Sequence, residues 1–328
     1  MAISTAQFSD LTKNAMVQWE EARKEFNSVR QSLYNIINVS EKTSEYSNIS
    51  STPTARRRSE GDDAYKGTLK QGYTKNFSQS EIALQVDVTK QLRMFDKYDE
   101  IMKRMRQMGR SAERRMELDA ASLLSYAWAT SYTNLDGETV TTSTPDGLSL
   151  INPSHTANGS SNTFSNEISS THKPISVDVL EELEELGNNF IDEADGRSMP
   201  ANFDSIITGR HAPTVHTVKR ILLSDRLQGT ADNDKNDFYM YNHIIVPFLD
   251  LDADETRNSD KARYCFLASL GNMDDNGFVI EQSQGIQFEA PEQVFESSTW
   301  QYMTTALYDF GTIRAGFLAA TKGDGSAV

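Results

Sequence analysis

Residues 41–80 read EKTSEYSNISSTPTARRRSEGDDAYKGTLKQGYTKNFSQS, a tract that is too long and too polar to be an ordinary loop. Its apolar residues are few and widely scattered: Tyr46, Ile49, Tyr65, Leu69, Tyr73 and Phe77. A compact domain rarely contains so long a connection unless that connection is functional or disordered. From Gly72 onward the residues begin to alternate as they do in a strand. We therefore predict an arm or extended hairpin that becomes ordered against another copy of the chain.

A second alternating segment follows this tract. Ile82, Leu84, Val86 and Val88 alternate with polar or small residues, and this pattern predicts a strand with one buried face. We interpret this strand as the returning limb of the arm.

Ahead of the tract, apolar residues recur at intervals of three and four from Phe8 to Ile36. This spacing predicts one long amphipathic helix whose apolar side includes Trp19 and Phe26. Two interpretations stay open. The helix lies on the core of its own chain, or it forms an arm on a neighbouring subunit.

A helical region from about Asp96 to Ala129 comes next. Gly109 followed by Ser111 is typical of a helix end and a new N-cap, so we predict two helices here. From Lys90 to Glu117 the chain has nine basic and five acidic residues, a local charge of +4. This stretch faces nucleic acid or an acidic neighbour, or it is a solvated helix face with internal ion pairs.

The rest of the chain mixes helices and strands without a repeating βαβ rhythm, which favours an α+β fold. Turn signals occur at Asn134–Gly137 and Pro145–Gly147. Ser176 is a plausible N-cap for an amphipathic helix over 177–194 whose polar side carries Glu181, Glu182, Glu184 and Glu185. Further strands are predicted in FDSIITG, HIIVPFLDLD and ARYCFLASL, a helix in HAPTVHTVKRILLSD, and two closing strands joined near Asp309–Gly311.

Composition limits the classes of function. The 328 residues include 32 Lys and Arg against 47 Asp and Glu, a formal net charge of −15 that opposes nonspecific binding to nucleic-acid phosphates. Cys265 is the one cysteine, and its apolar neighbours predict a buried, unreactive thiol. The N-terminus lacks the basic and apolar regions of a signal peptide, and no apolar run approaches the length of a membrane span. We expect no membrane partner.

Motifs of catalysis and of metal binding are missing from the sequence. No phosphate loop, dinucleotide fingerprint, nucleophile elbow or zinc-protease motif occurs. Asp250, Asp252 and Asp254 match the first three ligands of a calcium loop, but Glu255 stands where that loop needs Gly and Lys261 where it needs Glu. We predict a solvated acidic loop at 250–254, and likewise at 232–237, with no bound cation.

Taken in order, these elements resemble those of the major capsid proteins of tailed bacteriophages with the HK97-type fold. The segments that carry the resemblance are DGETVTTSTPDGLSLINPSH (136–155), VDVLEELEELG (177–187), FDSIITGRHAPTVHTVKRILLSD (203–225) and IQFEAPEQVFESSTWQYMTTALYDFGTIRAGFLAAT (286–321). The first is similar to the loop that follows the spine helix of such proteins. The next two are similar to the opening of the axial domain, and the last to the return through the peripheral domain.

The resemblance implies an α+β, HK97-like capsid fold in five parts. These are an N-terminal arm helix (1–39), an extended loop (40–95), a peripheral domain with the spine helix (96–174), an axial domain (175–275), and a return through the peripheral domain with closing strands (276–328). It implies a structural protein, not an enzyme, with no catalytic residue, cofactor or metal. Copies would assemble as hexamers and pentamers into an icosahedral shell around double-stranded DNA.

The resemblance also implies partners and a location. Other copies of the chain, a portal and packaged DNA bound without sequence specificity are expected, with decoration proteins as an optional partner. Because the arm helix begins within ten residues of Met1, we expect a separate scaffolding protein. The implied location is the virion capsid, assembled in the host cytoplasm.

Within such a shell the extended loop would lie over a neighbouring subunit. The residues proposed to make intersubunit contacts are Arg56, Arg57, Arg58, Tyr65, Tyr73, Phe77, Trp19 and Phe26. We expect Arg56–Arg58 to pair with the acidic side of the 177–194 helix of a neighbour. The acidic loops at 232–237 and 250–254 are expected to meet around the capsomer axis.

Two alternatives stay open. One is an encapsulin-like shell of the same fold that encloses cargo enzyme in place of DNA. The other is a nucleic-acid-binding adaptor that uses the basic stretch Lys90–Arg115. A hydrolase that uses the Asp250–Asp254 loop is the least favoured hypothesis.

Overall fold

The computed structural model describes residues 5–50, 52, 54–94, 98–168, 171–225, 235–271, 276–294 and 298–326. The helices are α1 (Thr5–Lys24), α2 (Arg30–Leu33), α3 (Lys90–Met94), α4 (Tyr98–Ser125), α5 (Val177–Asn188) and α6 (Ala212–Leu223), with 3-10 turns at Phe238–Met240 and Lys261–Arg263. The strands are β1 (Asn35–Asn38), β2 (Thr43–Ile49), β3 (Gln71–Ser78), β4 (Ser80–Thr89), β5 (Ser131–Thr133), β6 (Thr139–Thr141), β7 (His155–Thr156), β8 (Thr163–Phe164), β9 (Ser205–Thr208), β10 (Asn242–Ile245), β11 (Cys265–Ala268), β12 (Phe278–Val294), β13 (Thr299–Thr312) and β14 (Leu318–Thr321). The predicted α+β class is confirmed.

The first sheet, in the order β1-β12-β13-β4, is built on the long antiparallel hairpin of β12 and β13. β4 pairs antiparallel with β13, and β1 pairs in parallel with β12. The helix α4 packs against this sheet, because its apolar side meets the sheet's apolar face in one core. The largest buried side chains of this core include Ile101, Met105, Met108, Leu124, Phe278 and Tyr302.

The second sheet, in the order β10-β9-β11-β14, is covered on both faces. Successive residues of a strand point to opposite faces. Ile207 and Phe266 therefore join the core around α4, whereas Ile206 and Leu267 join a second core beneath α5 and α6. All four residues of SIIT and of CFLA are buried, as is expected of strands with two covered faces.

The polar tract contains a separate hairpin. β2 and β3 pair antiparallel from Thr43↔Ser78 to Ile49↔Gln71, so the predicted hairpin is present. Its ordering against another copy of the chain stays a prediction. Its returning limb is β3, and the interpretation of Ile82–Val88 as that limb is wrong. Those residues belong to β4, which pairs with β13 from Tyr308↔Ser80 to Thr299↔Thr89. The predicted inward face of β4 is present in part, since Val88 is buried.

The prediction of one helix from Phe8 to Ile36 is also wrong. α1 ends at Lys24, and Ile36 lies in β1 opposite Ile280 of β12. The chain leaves the helical path because Glu117 of α4 binds the following segment. Its carboxylate accepts hydrogen bonds from Ser28 Oγ (2.5 Å), from the Val29 N–H (3.2 Å) and from the Arg30 N–H (3.3 Å).

The two helices predicted around Gly109 are a single helix, α4. Gly109 is needed because α1 crosses α4 at this point. A Cβ atom at residue 109 would lie 2.6 Å from the carbonyl oxygen of Trp19 and 3.1 Å from its indole ring. The glycine thus allows close approach of two backbones and does not end a helix.

The closing strands are joined later than predicted. Asp309–Gly311 lie inside β13, and the chain turns at residues 313–317 before β14 enters the second sheet.

The predicted hairpin at Asn134–Gly137 is present between β5 and β6, and Ser176 caps α5 by accepting a hydrogen bond from the Val179 N–H at 3.3 Å. Among the described helices, none combines the length and apolar character that a membrane span requires.

We predict that Gly109→Ala destabilises the subunit. In an exposed helix interior this change stabilises by about 0.5–1 kcal/mol, but here the new methyl group meets Trp19, and overpacking of this kind costs about 1–3 kcal/mol. Urea denaturation of the purified variant measures the free energy of unfolding. Ser111→Ala, at an exposed position of the same helix, is the matched control and should be neutral or slightly stabilising. Equal or greater stability of the Gly109 variant would contradict the crossing geometry.

Candidate functional site: the extended hairpin and the acidic surfaces

The base of the β2–β3 hairpin is anchored in the chain's own body. Phe77 is buried to 1% exposure, meets the Tyr46 ring edge-to-face at 5.4 Å, and packs against Gly311 of β13. The Ser78 N–H donates to Asp309 Oδ2 at 2.7 Å, and Ser44 Oγ donates to Glu281 of β12. Burial raises the pKa of Asp309 above its ordinary value, although the backbone hydrogen bonds from the N–H groups of Ser78 and Phe310 oppose the shift.

A second row of contacts continues along β3. Tyr73 Oη lies 2.9 Å from Thr156 Oγ1, and Lys75 Nζ donates to the Ser143 carbonyl at 2.7 Å. Burial lowers the pKa of Lys75 below its ordinary value. The hairpin is therefore held to the body over most of β3.

Beyond these contacts the hairpin ends in an exposed loop. The Ser50 N–H donates to the Lys70 carbonyl at 2.8 Å, and the Lys70 N–H donates to Ser50 Oγ at 2.9 Å; we call this pair of bonds the neck. The described residues between the neck positions are all exposed. The Arg56 guanidinium lies over the Tyr65 ring, 4.0 Å from its centroid. Within the described ranges, Arg56–Arg58 make no ion pair.

The predicted contact residues fall into three groups. Arg56–Arg58 and Tyr65 are exposed on the loop, and Tyr73 and Phe26 are half-buried. Trp19 and Phe77 are buried within their own subunit, against α4 and β13. Their side chains stabilise the subunit and are not exposed to a neighbour. The intersubunit proposal therefore concerns the loop residues.

The basic stretch Lys90–Arg115 is largely occupied by internal ion pairs. Arg106 and Arg110 both bind Glu25, the residue after α1, at 2.7 Å, and these hydrogen bonds lower the pKa of the Glu25 carboxyl. Arg114 pairs with Glu255 at 3.1 Å, and Arg115 binds Asp119 at 3.0 Å. Lys97 lies outside the described residues. The basic side chains of this stretch therefore fit the interpretation of a helix face with internal ion pairs better than that of a free face for nucleic acid or an acidic neighbour.

A buried ionic cluster joins the segment after α1 to α4. Arg30 pairs with Glu113 at 2.7 Å and with Glu117 at 3.1 Å, and Arg23 also binds Glu113 at 2.8 Å. The sequence signal that we missed is the pair of carboxylates four residues apart on the apolar side of α4. Such residues are almost never buried unless they are paired.

Two acidic surfaces face solvent. On α5, Glu181 and Glu185 are exposed, whereas Glu184 accepts a hydrogen bond from Tyr241 Oη.

A cleft of about 540 Å³ lies between α4 and β4; we call it the α4–β4 groove. Its acidic lining residues are Glu81, Asp119, Asp136, Glu138, Glu255 and Asp309. Several of these already have partners, since Asp136 and Glu255 pair with Arg115 and Arg114.

The Asp250–Asp254 loop is engaged by groups of its own chain. Asp250 pairs with Arg257 at 3.1 Å, Asp252 pairs with Lys261 at 2.7 Å, and Asp254 accepts from the Thr256 hydroxyl. In the part of the chain that the structure describes, no three His, Cys, Asp or Glu residues are grouped as metal ligands. Of the other acidic loop, Asp232–Asp234 lie outside the described residues.

The thiol of Cys265 is buried in β11, as predicted. Burial raises its pKa to about 12, so the thiolate that would act as a nucleophile is disfavoured.

Comparison with known proteins gives a match in structure only. No family model matches the chain, and no curated protein matches it. The capsid of cyanophage P-SCSP1u superposes with a TM-score of 0.57 at 9% identity, over 90% of this chain and 87% of that chain. The capsid of Myoviridae phage XM1 gives 0.50 at 12% identity over 90% and 92%, and the capsid of an empty GTA particle gives 0.50 at 11% over 90% of each chain.

The chain has the HK97-type capsid fold. The likeness covers nine-tenths of the chain, so the predicted fold class is confirmed. In terms of the capsid fold, we interpret α4 as the spine helix and the β2–β3 hairpin as the extended loop. The five-part division of the chain stays a prediction.

We predict that Phe77→Ala releases the hairpin from the body of the capsid fold. The change removes a buried ring that joins β3 to β13, and truncation of a buried Phe typically costs about 3–5 kcal/mol. Amide exchange should speed up in β2 and β3 and much less in β9 or β11.

Tyr65→Ala, in the exposed loop, is the matched aromatic control and should leave exchange in both strands unchanged. If Phe77→Ala left β2 and β3 as protected as in the parent, the hairpin would be held by contacts other than Phe77.

Proposed function

We propose that this chain is the major capsid protein of a tailed bacteriophage and that its copies assemble as hexamers and pentamers into an icosahedral shell around double-stranded DNA. One observation carries the proposal. An extended hairpin, anchored at its base, presents an exposed loop on a capsid fold, and the three consecutive arginines of this loop make no ion pair with the described residues. An isolated subunit gains little from such a loop, since it buries almost none of it.

The proposed role is structural and not enzymatic. The proposed partners are other copies of the chain, a separate scaffolding protein, a portal and packaged DNA, with decoration proteins optional. Assembly is proposed to occur in the host cytoplasm, and the final location is the virion capsid. The net charge of −15 suits a shell that does not hold its DNA by direct attraction.

We propose the exposed acidic side of α5 in a neighbouring subunit as the surface that receives Arg56–Arg58. Glu181 and Glu185 are exposed and make no ion pair within the described residues, so their full charge faces a partner. The α4–β4 groove is the competing surface, but three of its carboxylates already neutralise Arg114 and Arg115. Each exposed pair contributes about 0–1 kcal/mol, and repetition around the shell makes the sum decisive.

Electron microscopy of the protein expressed alone and with its neighbouring phage genes tests the general role. Shells, tubes or capsomer rings are the expected result, and particles formed with the complete gene set should protect DNA from nuclease. A monomer under all conditions would contradict the proposal. Closed shells that enclose a protein cargo and no DNA would favour the encapsulin-like alternative.

We predict that the triple variant R56A/R57A/R58A fails to assemble although the subunit folds normally. The arginines make no ion pair with the described part of their own subunit, so melting temperature and circular dichroism should match those of the parent. Shells should be absent or strongly reduced by electron microscopy. R56K/R57K/R58K keeps the charge and should keep assembly. Normal shells from the alanine variant would overturn the role of these arginines.

A charge-reversal experiment identifies the receiving surface. R56E/R58E should block assembly by repulsion from the acidic side of α5, and adding E181R/E185R should restore it by exchanging the signs. The matched control adds E81R/E138R, which reverses two carboxylates of the α4–β4 groove. Restoration by the groove reversal and not by the α5 reversal would show that the groove is the receiving surface.

A further inference from the structure

The loop from Asp250 to Lys261 shares one backbone feature with a calcium loop, although its sequence departs from one. A calcium loop places side-chain oxygens at positions 1, 3 and 5, needs a sharp turn at position 6, and supplies a bidentate Glu at position 12. Counted from Asp250, position 6 is Glu255. Its φ is +62°, in the left-handed region that a calcium loop reserves for Gly. The turn is therefore made in spite of the unsuitable residue.

Position 12 is Lys261, and its side chain turns into the loop. The residue is 8% exposed, and its ammonium lies 2.7 Å from Asp252 Oδ1 and 3.3 Å from the centroid of the Tyr126 ring. Apart from this ion pair, Lys261 Nζ has no hydrogen-bond partner among the described residues. A buried ammonium that lies beside a carboxylate and over an aromatic face makes contacts that a bound metal cation would otherwise make.

We propose that Lys261 is the resident cation of this loop, with its ammonium in the position that a divalent cation occupies in a calcium loop. Burial lowers the pKa of Lys261 below its ordinary value, and the carboxylates of Asp252 and Asp254, which supply the surrounding negative charge, oppose this shift. Asp250 is turned toward Arg257 at 3.1 Å.

The internal cation has a structural consequence. The same loop is tied to the spine helix: the Ala253 N–H donates to Tyr126 Oη at 3.1 Å, Ser125 Oγ donates to the Leu249 carbonyl at 2.8 Å, and Glu255 pairs with Arg114 at 3.1 Å. A loop that carries its own cation keeps the connection between β10 and β11 fixed to α4 at any calcium concentration. The parent protein should therefore show the same melting temperature with EDTA and with millimolar Ca²⁺.

The test is Lys261→Glu in the full chain, which removes the ammonium and supplies the missing ligand at position 12. This variant should bind Tb³⁺, and excitation of tyrosine should give sensitised Tb³⁺ emission because Tyr126 adjoins the site. Ca²⁺ should compete with a Kd on the order of 10⁻⁴–10⁻³ M, and Mg²⁺ should compete more weakly. The parent should give only the background of its surface carboxylates.

The control is K261E/D252N, which removes a ligand from the same loop and should return the emission to the parent level. Emission from Lys261→Glu no stronger than from the parent, or unchanged in the control, would overturn the proposal.

Should Lys261→Glu not fold, Lys261→Met replaces the ammonium with an uncharged chain of similar length. It should melt below the parent and recover part of the loss in millimolar Ca²⁺. A response to Ca²⁺ equal to that of the parent would also overturn the proposal.

Discussion

β13 has a neighbour on each side over most of its length, and the remaining architecture depends on this double pairing. β12 lies along one edge and β4 along the other, so the chain must enter β4 at Ser80 beside Tyr308. That constraint fixes where β3 ends and hence where the hairpin leaves the body. It also places Phe77 over Gly311, because the last residues of β3 pass the same strand before β4 begins. The exposed loop is therefore projected from a rigid base.

The spine helix depends on polar contacts as well as on apolar packing. A buried Arg30 held by Glu113 and Glu117 contributes little net stability, since desolvation of the charges offsets most of their attraction. Its effect is on position: the carboxylates bind the chain at Ser28–Arg30 and so determine where the helical path ends. The glycine at 109 complements this, because it allows α1 to approach α4 closely enough for these groups to meet.

Local patterns predicted local structure, and long-range contacts explain the errors. Alternation at 82–88 was sufficient to predict a strand, and Ser176 to predict the start of α5, because neighbouring residues determine both. The partner of β4 is β13, more than 200 residues away, so its role as a sheet strand could not be inferred from its own sequence. The role of Gly109 could not be inferred from the neighbouring sequence either, because it depends on the contact of α4 with Trp19. Arg56–Arg58 were predicted to pair with a neighbouring subunit, and this stays a prediction; Glu60, Asp62 and Asp63 lie close to them in sequence, so sequence alone did not exclude local ion pairs.

The neck at Ser50 and Lys70 separates the sequence of the exposed loop from the fold of the rest of the chain, two properties that are usually coupled in a protein. Because the ends of the loop are held together, a doubling of its length costs only about 0.6 kcal/mol in closure entropy. The segment beyond the neck can be lengthened, exchanged or given a new charge pattern while the sheet and the spine helix stay the same. Evolution can therefore alter the surface that the loop presents without altering how the rest of the chain folds.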